Sequence, residues 1–309
     1  MTGLVDAHAH ITRGIRLREV LDRMDAAGVS TAVVMAREVD ERRILELRRL
    51  APTRIVPFMG GRLIQAAFQR GSYRSNRRGV RHYRGFRDDW WRKRGESVFH
   101  KLEEALDSRR FGGIGEIRLK HRGFGPSVPE MKCDYDFEFD HPVPLRLLEL
   151  AGARGLPVTV HLEIDEDRDR RLRAFSRALK LRARTKVIWA HSGPADPSTL
   201  GRMLSGHGNL LAEIMPLLRN TYAARVPYLK TFPPVANSGA RLFPAWKRLF
   251  ERHADRFLVG SDCRTAAEYR HLRIRMEDMR AILSQLSGRA AARIGAANAR
   301  ALFSAYRSF

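Results

Sequence analysis

Cysteine is scarce in this sequence, because Cys133 and Cys263 are the only two among 309 residues. Two thiols are too few for a disulfide framework, so we expect a chain that works in the reducing cytoplasm. No apolar run approaches the ~20 residues that cross a bilayer, and we therefore expect no membrane partner. The first residues also lack the basic and then apolar pattern of a secretory signal.

Acidic residues are few compared with basic ones. The chain has 34 Asp and Glu against 57 Lys and Arg, which gives a formal net charge of +23. A charge of this size favours anionic partners such as nucleic acid, membrane headgroups or acidic small molecules. A solvated basic surface without any partner would produce the same number, so charge alone does not select a function.

Short apolar runs alternate with amphipathic helical patterns along the whole sequence. Eight buried strands, each followed by a helix, predict a single (β/α)₈ barrel domain over residues 1–309. The alternative is an open doubly wound sheet, but no glycine-rich phosphate loop follows the first strand, where such a fold usually carries one. The predicted strands are 4–10, 31–36, 54–60, 111–120, 157–164, 186–193, 209–216 and 257–264.

Two connections interrupt the alternation, at 61–95 and at 217–241, and both follow a strand. In a barrel this places them on the face that carries active sites. The sequence predicts an irregular basic and aromatic insertion over 61–95, since ten Lys or Arg of 69–95 are interleaved with aromatic residues. Such a segment suits a lid over the substrate, a contact between protomers, a nucleic-acid surface or a mobile solvated loop.

Side chains that can bind metal lie near the ends of five predicted strands. A single buried histidine is more often a hydrogen-bonded core residue than a ligand, but five such strand ends in one barrel are hard to obtain by chance. Imidazoles and carboxylates together suit zinc or a similar divalent ion. The candidate ligands are His8, His10, Glu116, His161, His191 and Asp262.

Seven short segments resemble the metal-dependent amidohydrolase superfamily, and most closely its amidohydrolase family 2, which is related to the TatD-like hydrolases. The likeness extends from Val5 to Phe303. The segments that carry it are "VDAHAH", "RIVPF", "GIGEIRLKH", "HLEI", "WAHSG", "GSD" and "IGAANARALF".

The resemblance implies a role for each candidate ligand. His8, His10 and Asp262 would hold the more buried of two ions, and His161 and His191 would hold the other. Glu116 would bridge them as in TatD-like members, whereas Lys120 lies beyond the expected place of a carboxylated lysine. Zinc is the expected ion, with manganese or iron as alternatives. Superfamily members with a single ion also exist, and there His191 would act as an acid or base or would contact the substrate.

The expected reaction is hydrolysis of an amide, imide, lactone or ester bond by a metal-activated hydroxide, with Asp262 as general base and His191 as the second catalytic residue. A decarboxylase of an unsaturated or aromatic acid that uses one ion is the first alternative. A TatD-like nuclease is the second. A nucleic-acid-binding protein on an inactive barrel is the last, and the complete ligand set argues against it.

The expected substrate is a small anionic molecule. Arg118, Lys120 and His121 follow Glu116 on the same predicted strand and could hold its anionic group. Asp6 and Glu163 lie two residues from His8 and His161, so we expect them to support the ligands rather than bind the ion. A homo-oligomer is left open, and nucleic acid is not the favoured partner.

Overall fold

The computed structural model describes residues 3–36, 40–77, 79–122, 133–164, 166–215 and 233–307. Among these residues no helix is both long and apolar enough to cross a membrane. The strands are β1 Leu4–His10, β2 Val29–Met35, β3 Ile55–Gly60, β4 Tyr73–Arg77, β5 Val80–Arg84, β6 Gly113–His121, β7 Cys133–Asp136, β8 Val158–Leu162, β9 Val187–Trp189, β10 Leu210–Ile214 and β11 Phe257–Val259.

The helices cover the outside of the sheet. Two short segments of other helical type complete the list, a 3₁₀ turn over Ala190–Ser192 and a π turn over Arg293–Ala297. The α-helices are α1 Leu17–Ala26, α2 Glu41–Leu50, α3 Gly61–Arg70, α4 Asp88–Asp107, α5 Pro142–Ala153, α6 Arg168–Leu181, α7 Pro197–Gly206, α8 Pro244–Arg252, α9 Ala266–Tyr269, α10 Leu272–Leu283, α11 Gly288–Ala292, α12 Asn298–Leu302 and α13 Ser304–Arg307.

Eight parallel strands form the barrel, in the order β1-β2-β3-β6-β8-β9-β10-β11. Contacts between β1 and the segment after β11 close the ring. There the amide of His10 donates to the carbonyl of Cys263 at 2.7 Å, and the amide of Asp262 donates to the carbonyl of His8 at 2.8 Å. The predicted barrel and all eight predicted strands are thereby confirmed.

The sheet has an apolar layer on each side because its strands alternate. Ala32 and Val34 of β2 pack outward in the large core shared with the helices. Val33 and Met35, the intervening residues, belong to a separate interior cluster that also includes Phe58. Since alternate residues of a strand face opposite sides, this second cluster fills the inside of the barrel.

The segment 61–95 is more regular than expected, and the prediction that it is irregular is wrong. It contains α3, the antiparallel hairpin of β4 and β5, and the beginning of α4, which starts at Asp88 rather than near residue 96. The helical signal was present in Ile64, Ala67 and Phe68, which are spaced i, i+3, i+4 and are buried. The many arginines around them obscured it. The other long connection, 217–241, lies mostly outside the described residues.

The hairpin belongs to a small accessory sheet at the mouth of the barrel. β5 pairs in parallel with β7, and β7 pairs antiparallel with the last residues of β6. The pairs Lys120–Asp136 and His121–Tyr135 fix this junction. Because it joins the C-terminal end of a barrel strand, the accessory sheet stands beside the face where barrel enzymes carry their sites.

Candidate metal centre

The two histidines of β1 point at the same spot. Their Nε2 atoms are 2.9 Å apart, and both rings are buried. The pairing of β1 with β2 has a register irregularity between Asp6 and Ala9, which shifts the alternation of inward and outward side chains along β1. It lets His8 and His10 face the interior although Val5 and Ala7 belong to the interior cluster below them.

Glu116 lies among four imidazoles. Its Oε1 is 2.9 Å from Nδ1 of His161, 3.7 Å from Nε2 of His191 and 3.9 Å from Nε2 of His8. Its Oε2 is 3.7 Å from Nε2 of His10. One carboxylate therefore touches both halves of the predicted ligand set, as a bridging ligand would.

Asp262 completes the ring of ligands from the opposite side. Its Oδ1 lies 3.4 Å from Nε2 of His10 and 3.7 Å from Nε2 of His8, and its Oδ2 lies 3.7 Å from Nε2 of His191. Its backbone has a φ of 48°, a left-handed conformation that few residues other than glycine adopt. The structure thus brings all six predicted ligands together.

His191 reaches the centre from a strained turn. Strand β9 ends at Trp189, and His191 and Ser192 follow with φ values of 55° and 56°. The Ser192 hydroxyl donates to the carbonyl of Glu213 at 2.8 Å and holds this turn against β10. Backbone strain of this kind persists only where the surroundings enforce it, and it is concentrated at functional sites.

Glu213 is a site residue that the sequence analysis missed. Its Oε2 is 2.7 Å from Nδ1 of His8, its Oε1 is 3.0 Å from Nδ1 of His191, and its side chain is fully buried. A Cβ on Gly260 would lie 2.3 Å from its Oε1, so the neighbouring strand leaves room only for glycine. The sequence pattern that could have identified Glu213 is the alternation in "NLLAEIMP", which places Glu213 on the inward face with Leu211.

Glu163 supports the other side of the centre. Its Oε1 lies 2.9 Å from Nε2 of His161 and 2.9 Å from Nδ1 of His121. Its Oε2 accepts the backbone N–H of Arg122. Each of two buried carboxylates, Glu163 and Glu213, therefore contacts two imidazoles, and His121 lies in this network behind His161.

Asp6 is also buried and holds the seam of the barrel. Its Oδ1 accepts the backbone N–H groups of Ser261 at 2.9 Å and His8 at 3.2 Å. These bonds tie β1 to the segment that carries Asp262. Burial raises the pKa of this carboxyl to about 6, although hydrogen bonds from Ser261 oppose the shift.

The predicted cations after Glu116 have different surroundings. The Arg118 guanidinium is partly buried and lies over the Tyr135 ring at 4.6 Å, and its backbone N–H donates to the Gln65 side chain at 2.9 Å. Lys120 is almost completely buried, with its Nζ 3.4 Å from Glu166 and 3.8 Å from Asp134. Its charge is thus already balanced by two carboxylates.

The charges of the centre depend strongly on one another. Burial alone would lower the pKa of His8, but the carboxylates of Glu213, Glu116 and Asp262 together outweigh it and raise that pKa to about 10. Burial would raise the pKa of Glu116, but its bond with His161 holds it well below the usual range. Burial would likewise raise the pKa of Asp262, and the Arg264 charge and the contact with His10 hold it well below.

The residues fit a divalent cation. Four groups of donors have ligand atoms within 4.8 Å of one another, and three of them consist only of the six candidate ligands. These three are His8, His10 and Glu116; His8, His191 and Asp262; and Glu116, His161 and His191, and the fourth is His121, His161 and Glu163. Asp262 Oδ1 and His10 Nδ1 are buried and make no hydrogen bond within the described part of the chain. Two imidazoles that aim Nε2 at each other, between two anionic carboxylates, form a donor set suited to zinc or a related ion.

Comparison with known proteins identifies the family and the fold of the chain. A sequence model described as amidohydrolase matches residues 5–305. No curated protein matches the chain. An uncharacterised TIM-barrel protein from Bordetella bronchiseptica is similar in structure, with a TM-score of 0.61 and 14% identity over 99% of this chain and 100% of that one.

Two further solved structures share the fold. A TatD homolog from Escherichia coli has a TM-score of 0.55 and 15% identity over 97% of this chain and 98% of that one. A probable 2-pyrone-4,6-dicarboxylic acid hydrolase from Acinetobacter baumannii, solved with citric acid bound, has a TM-score of 0.53 and 12% identity over 98% of this chain and 100% of that one. With the family match over residues 5–305, we conclude that the chain belongs to the amidohydrolase family.

Proposed function

We propose that this protein is a metal-dependent hydrolase that cleaves an amide, imide, lactone or ester bond in a small anionic molecule. The position of Glu116 is the observation that carries the proposal. Its carboxylate lies within 3.9 Å of imidazole nitrogens of His8 and His10 and also of His161 and His191, so it could be shared by two ions. A centre with two ions suits hydrolysis, because such sites stabilise both the attacking and the leaving oxygen.

A divalent ion held by these residues would lower the pKa of a bound water to ~7 and polarise the substrate oxygen. Asp262 supplies the general base. Its pKa is held well below the usual range by Arg264 and His10 against the effect of burial, so it is ionised at neutral pH and can accept a proton. It then passes this proton to the leaving group, and His191, 3.7 Å from Asp262, faces the same space.

Arg118 is the best candidate for the anionic group of the substrate. It is partly exposed, lies on the strand that carries Glu116, and is held in place by Tyr135 and Gln65. Lys120 and His121 remain candidates, but both are buried in contacts with carboxylates of the protein. A stacked guanidinium presents a planar pair of donors to a carboxylate, which favours Arg118.

We propose zinc as the ion, with manganese and iron as alternatives, and the cytoplasm as the location. The imidazole-rich donor set supports zinc. Neither Cys133 nor Cys263 forms a disulfide, which agrees with a reducing compartment.

Metal analysis combined with a substrate screen tests the proposal. We expect two equivalents of metal per chain, and one equivalent in Glu116→Gln. We also expect hydrolysis of members of an amide, imide, lactone and ester panel that carry a carboxylate, with slower turnover of their neutral analogues. One equivalent in the unaltered protein, with CO₂ released from an aromatic or unsaturated acid, would support the decarboxylase instead. No bound metal, and no effect of His8→Ala, would contradict both.

A further inference from the structure

The hairpin of β4 and β5 carries positive charge that the proposed hydrolase does not use. Residues 73–84, which include both strands, contain five arginines and no acidic residue. A small substrate needs one or two cations at the metal centre, whereas this charge extends along a strand outside the barrel. The hairpin therefore calls for a separate explanation.

The edge strand of the hairpin is open to solvent. All five residues of β4 are exposed, and β4 pairs only with β5, so its outer edge has no strand partner within the described chain. Among the described residues no carboxylate lies within 4 Å of the guanidinium groups of Arg74, Arg77 or Arg81. Tyr73, the first residue of the same strand, is 65% exposed.

The hairpin is nevertheless held firmly to the barrel. Tyr83 of β5 stacks on Tyr135 of β7 with ring centroids 5.5 Å apart. His82 lies 3.7 Å from Asp134 through its Nδ1, and β7 in turn pairs with the end of β6. The exposed cations and the exposed ring are thus presented in a fixed arrangement beside the mouth of the barrel.

We propose that the open side of this hairpin binds single-stranded nucleic acid, with phosphates at Arg74 and Arg77 of β4 and at Arg81 of β5, and with a base stacked on Tyr73. Surfaces of this kind combine basic side chains that follow a phosphate backbone with aromatic rings that stack on bases. A single small anion would require converging, buried donors, whereas here the arginines are exposed and spread over the hairpin. Arg74 and Arg81 lie on one face, and Arg77 lies on the other face with Tyr73. Insertion into a membrane is disfavoured, because β4 offers Ser75 and Asn76 rather than apolar side chains.

Binding of a fluorescent oligothymidylate of about 20 nucleotides, measured by anisotropy in the presence of EDTA, tests the proposal. EDTA removes divalent ions, so failure of this test leaves the proposed hydrolase untouched. We expect the triple variant Arg74→Ser, Arg77→Ser, Arg81→Ser to bind at least tenfold more weakly. The slope of log K against log salt should become about two units shallower, since each phosphate contact on a single strand contributes about 0.7.

The matched control removes three other exposed arginines by Arg49→Ser, Arg184→Ser and Arg289→Ser. These side chains lie outside the hairpin and make no ion pair within the described residues, so the net charge changes equally and binding should change less than about twofold. Tyr73→Ala should weaken binding about fivefold or more and Tyr73→Phe should restore it, because the ring supplies the stacking.

Three results would overturn the proposal. Equal weakening in the control variant would show that only the total charge matters. Full competition by polyphosphate at matched charge, with no effect of Tyr73→Ala, would show a general polyanion surface. Hairpin-dependent binding to vesicles of anionic lipid, without binding to the oligonucleotide, would identify a different ligand. Circular dichroism of every variant verifies that the fold is intact.

Discussion

The two ends of the barrel interior are built from the same strands but differ completely in chemistry. Below the metal-site residues, inward side chains such as Val33, Phe58 and Leu258 form one apolar cluster with Phe303 of the C-terminal segment. At the ends of the strands, inward side chains are histidines and carboxylates, and they contact one another within 4 Å. One end is closed by apolar packing, and the other is held by opposite charges.

This difference shows how the fold separates stability from function. The apolar end gains free energy by removing side chains from water. The charged end would be costly alone, because a buried charge needs a partner, and here each carboxylate has two or more imidazoles around it. A change at one end should therefore alter stability, and a change at the other should alter metal binding and catalysis.

The largest expected effect comes from Asp262→Asn at the charged end. We expect kcat/KM on an identified substrate to fall about 10⁴-fold, because both a ligand and the general base are altered. This corresponds to about 5.5 kcal/mol of transition-state stabilisation. Steady-state kinetics with metal analysis would measure it. The control is Asp255→Asn. Asp255 is an exposed carboxylate just before β11, the strand that Asp262 follows. An equal loss in that control would contradict the separation of the two ends.

Phe303→Ala tests the apolar end. Phe303 is 1% exposed and packs edge-to-face on Phe58 with ring centroids 5.7 Å apart. Its removal leaves a cavity, so the free energy of unfolding should fall by about 3–5 kcal/mol. Urea unfolding gives this value, and the metal content of the folded variant should not change. Loss of metal at unchanged stability would mean that the two ends are not independent.

Glu213→Gln should weaken metal binding about 10- to 100-fold, as loss of a group that orients ligands usually does. Burial would raise the pKa of Glu213, but His8 and His191 lower it to about 2, so it is a charged acceptor for both rings. A glutamine offers one acceptor and one donor, so it cannot accept from both Nδ1 atoms. Competition with a chelator measures the affinity.

Two related variants sharpen this experiment. Gly260→Ala should resemble Glu213→Gln, because the new Cβ would displace the Glu213 carboxylate. Glu163→Gln should weaken only the ion near His161, since Glu163 contacts His161 and His121 but neither histidine of β1. If Glu213→Gln binds metal as tightly as the unaltered protein, Glu213 does not position the ligands.

The smallest effect concerns Glu268, which caps α9 with Thr265 and pairs with Arg264 at 2.9 Å. Burial would raise its pKa, but the charge of Arg264 together with hydrogen bonds from Arg264 and Thr265 outweighs burial and lowers it. Its stabilisation is therefore full above the ordinary carboxyl pKa of about 4.3 and is lost as the pH falls through the lower folded value. Glu268→Gln should cost about 1 kcal/mol at pH 7.

Urea unfolding of Glu268→Gln and the unaltered protein near pH 7 and near pH 3 checks this sign. The difference in unfolding free energy should shrink in acid, because protonation removes the same charge from the unaltered protein. A deficit that grows in acid would show that the glutamate is not stabilised in its ionised form.

Simple alternation along strands accounts for part of the site. His161 follows Thr159 inward on β8, and Glu213 follows Leu211 inward on β10, so both positions can be read from the sequence. Alternation does not account for β1. Val5 and His8 both face the interior, although residues three positions apart on a regular strand face opposite sides. The register irregularity between Asp6 and Ala9 reconciles them, and it depends on pairing with β2.

The sequence by itself determined the barrel, its eight strands and six ligand-type residues at strand ends, because these follow from local patterns of apolar and polar residues. Only the tertiary structure decided which carboxylate orients which imidazole, since Glu213 and His8 are 205 positions apart and meet only when the barrel closes. The tertiary structure also showed that the basic segment 61–95, which looked irregular in the sequence, contains a helix and an ordered hairpin. The physical reason is that local patterns specify strands and helices, whereas contacts between distant strands specify the site.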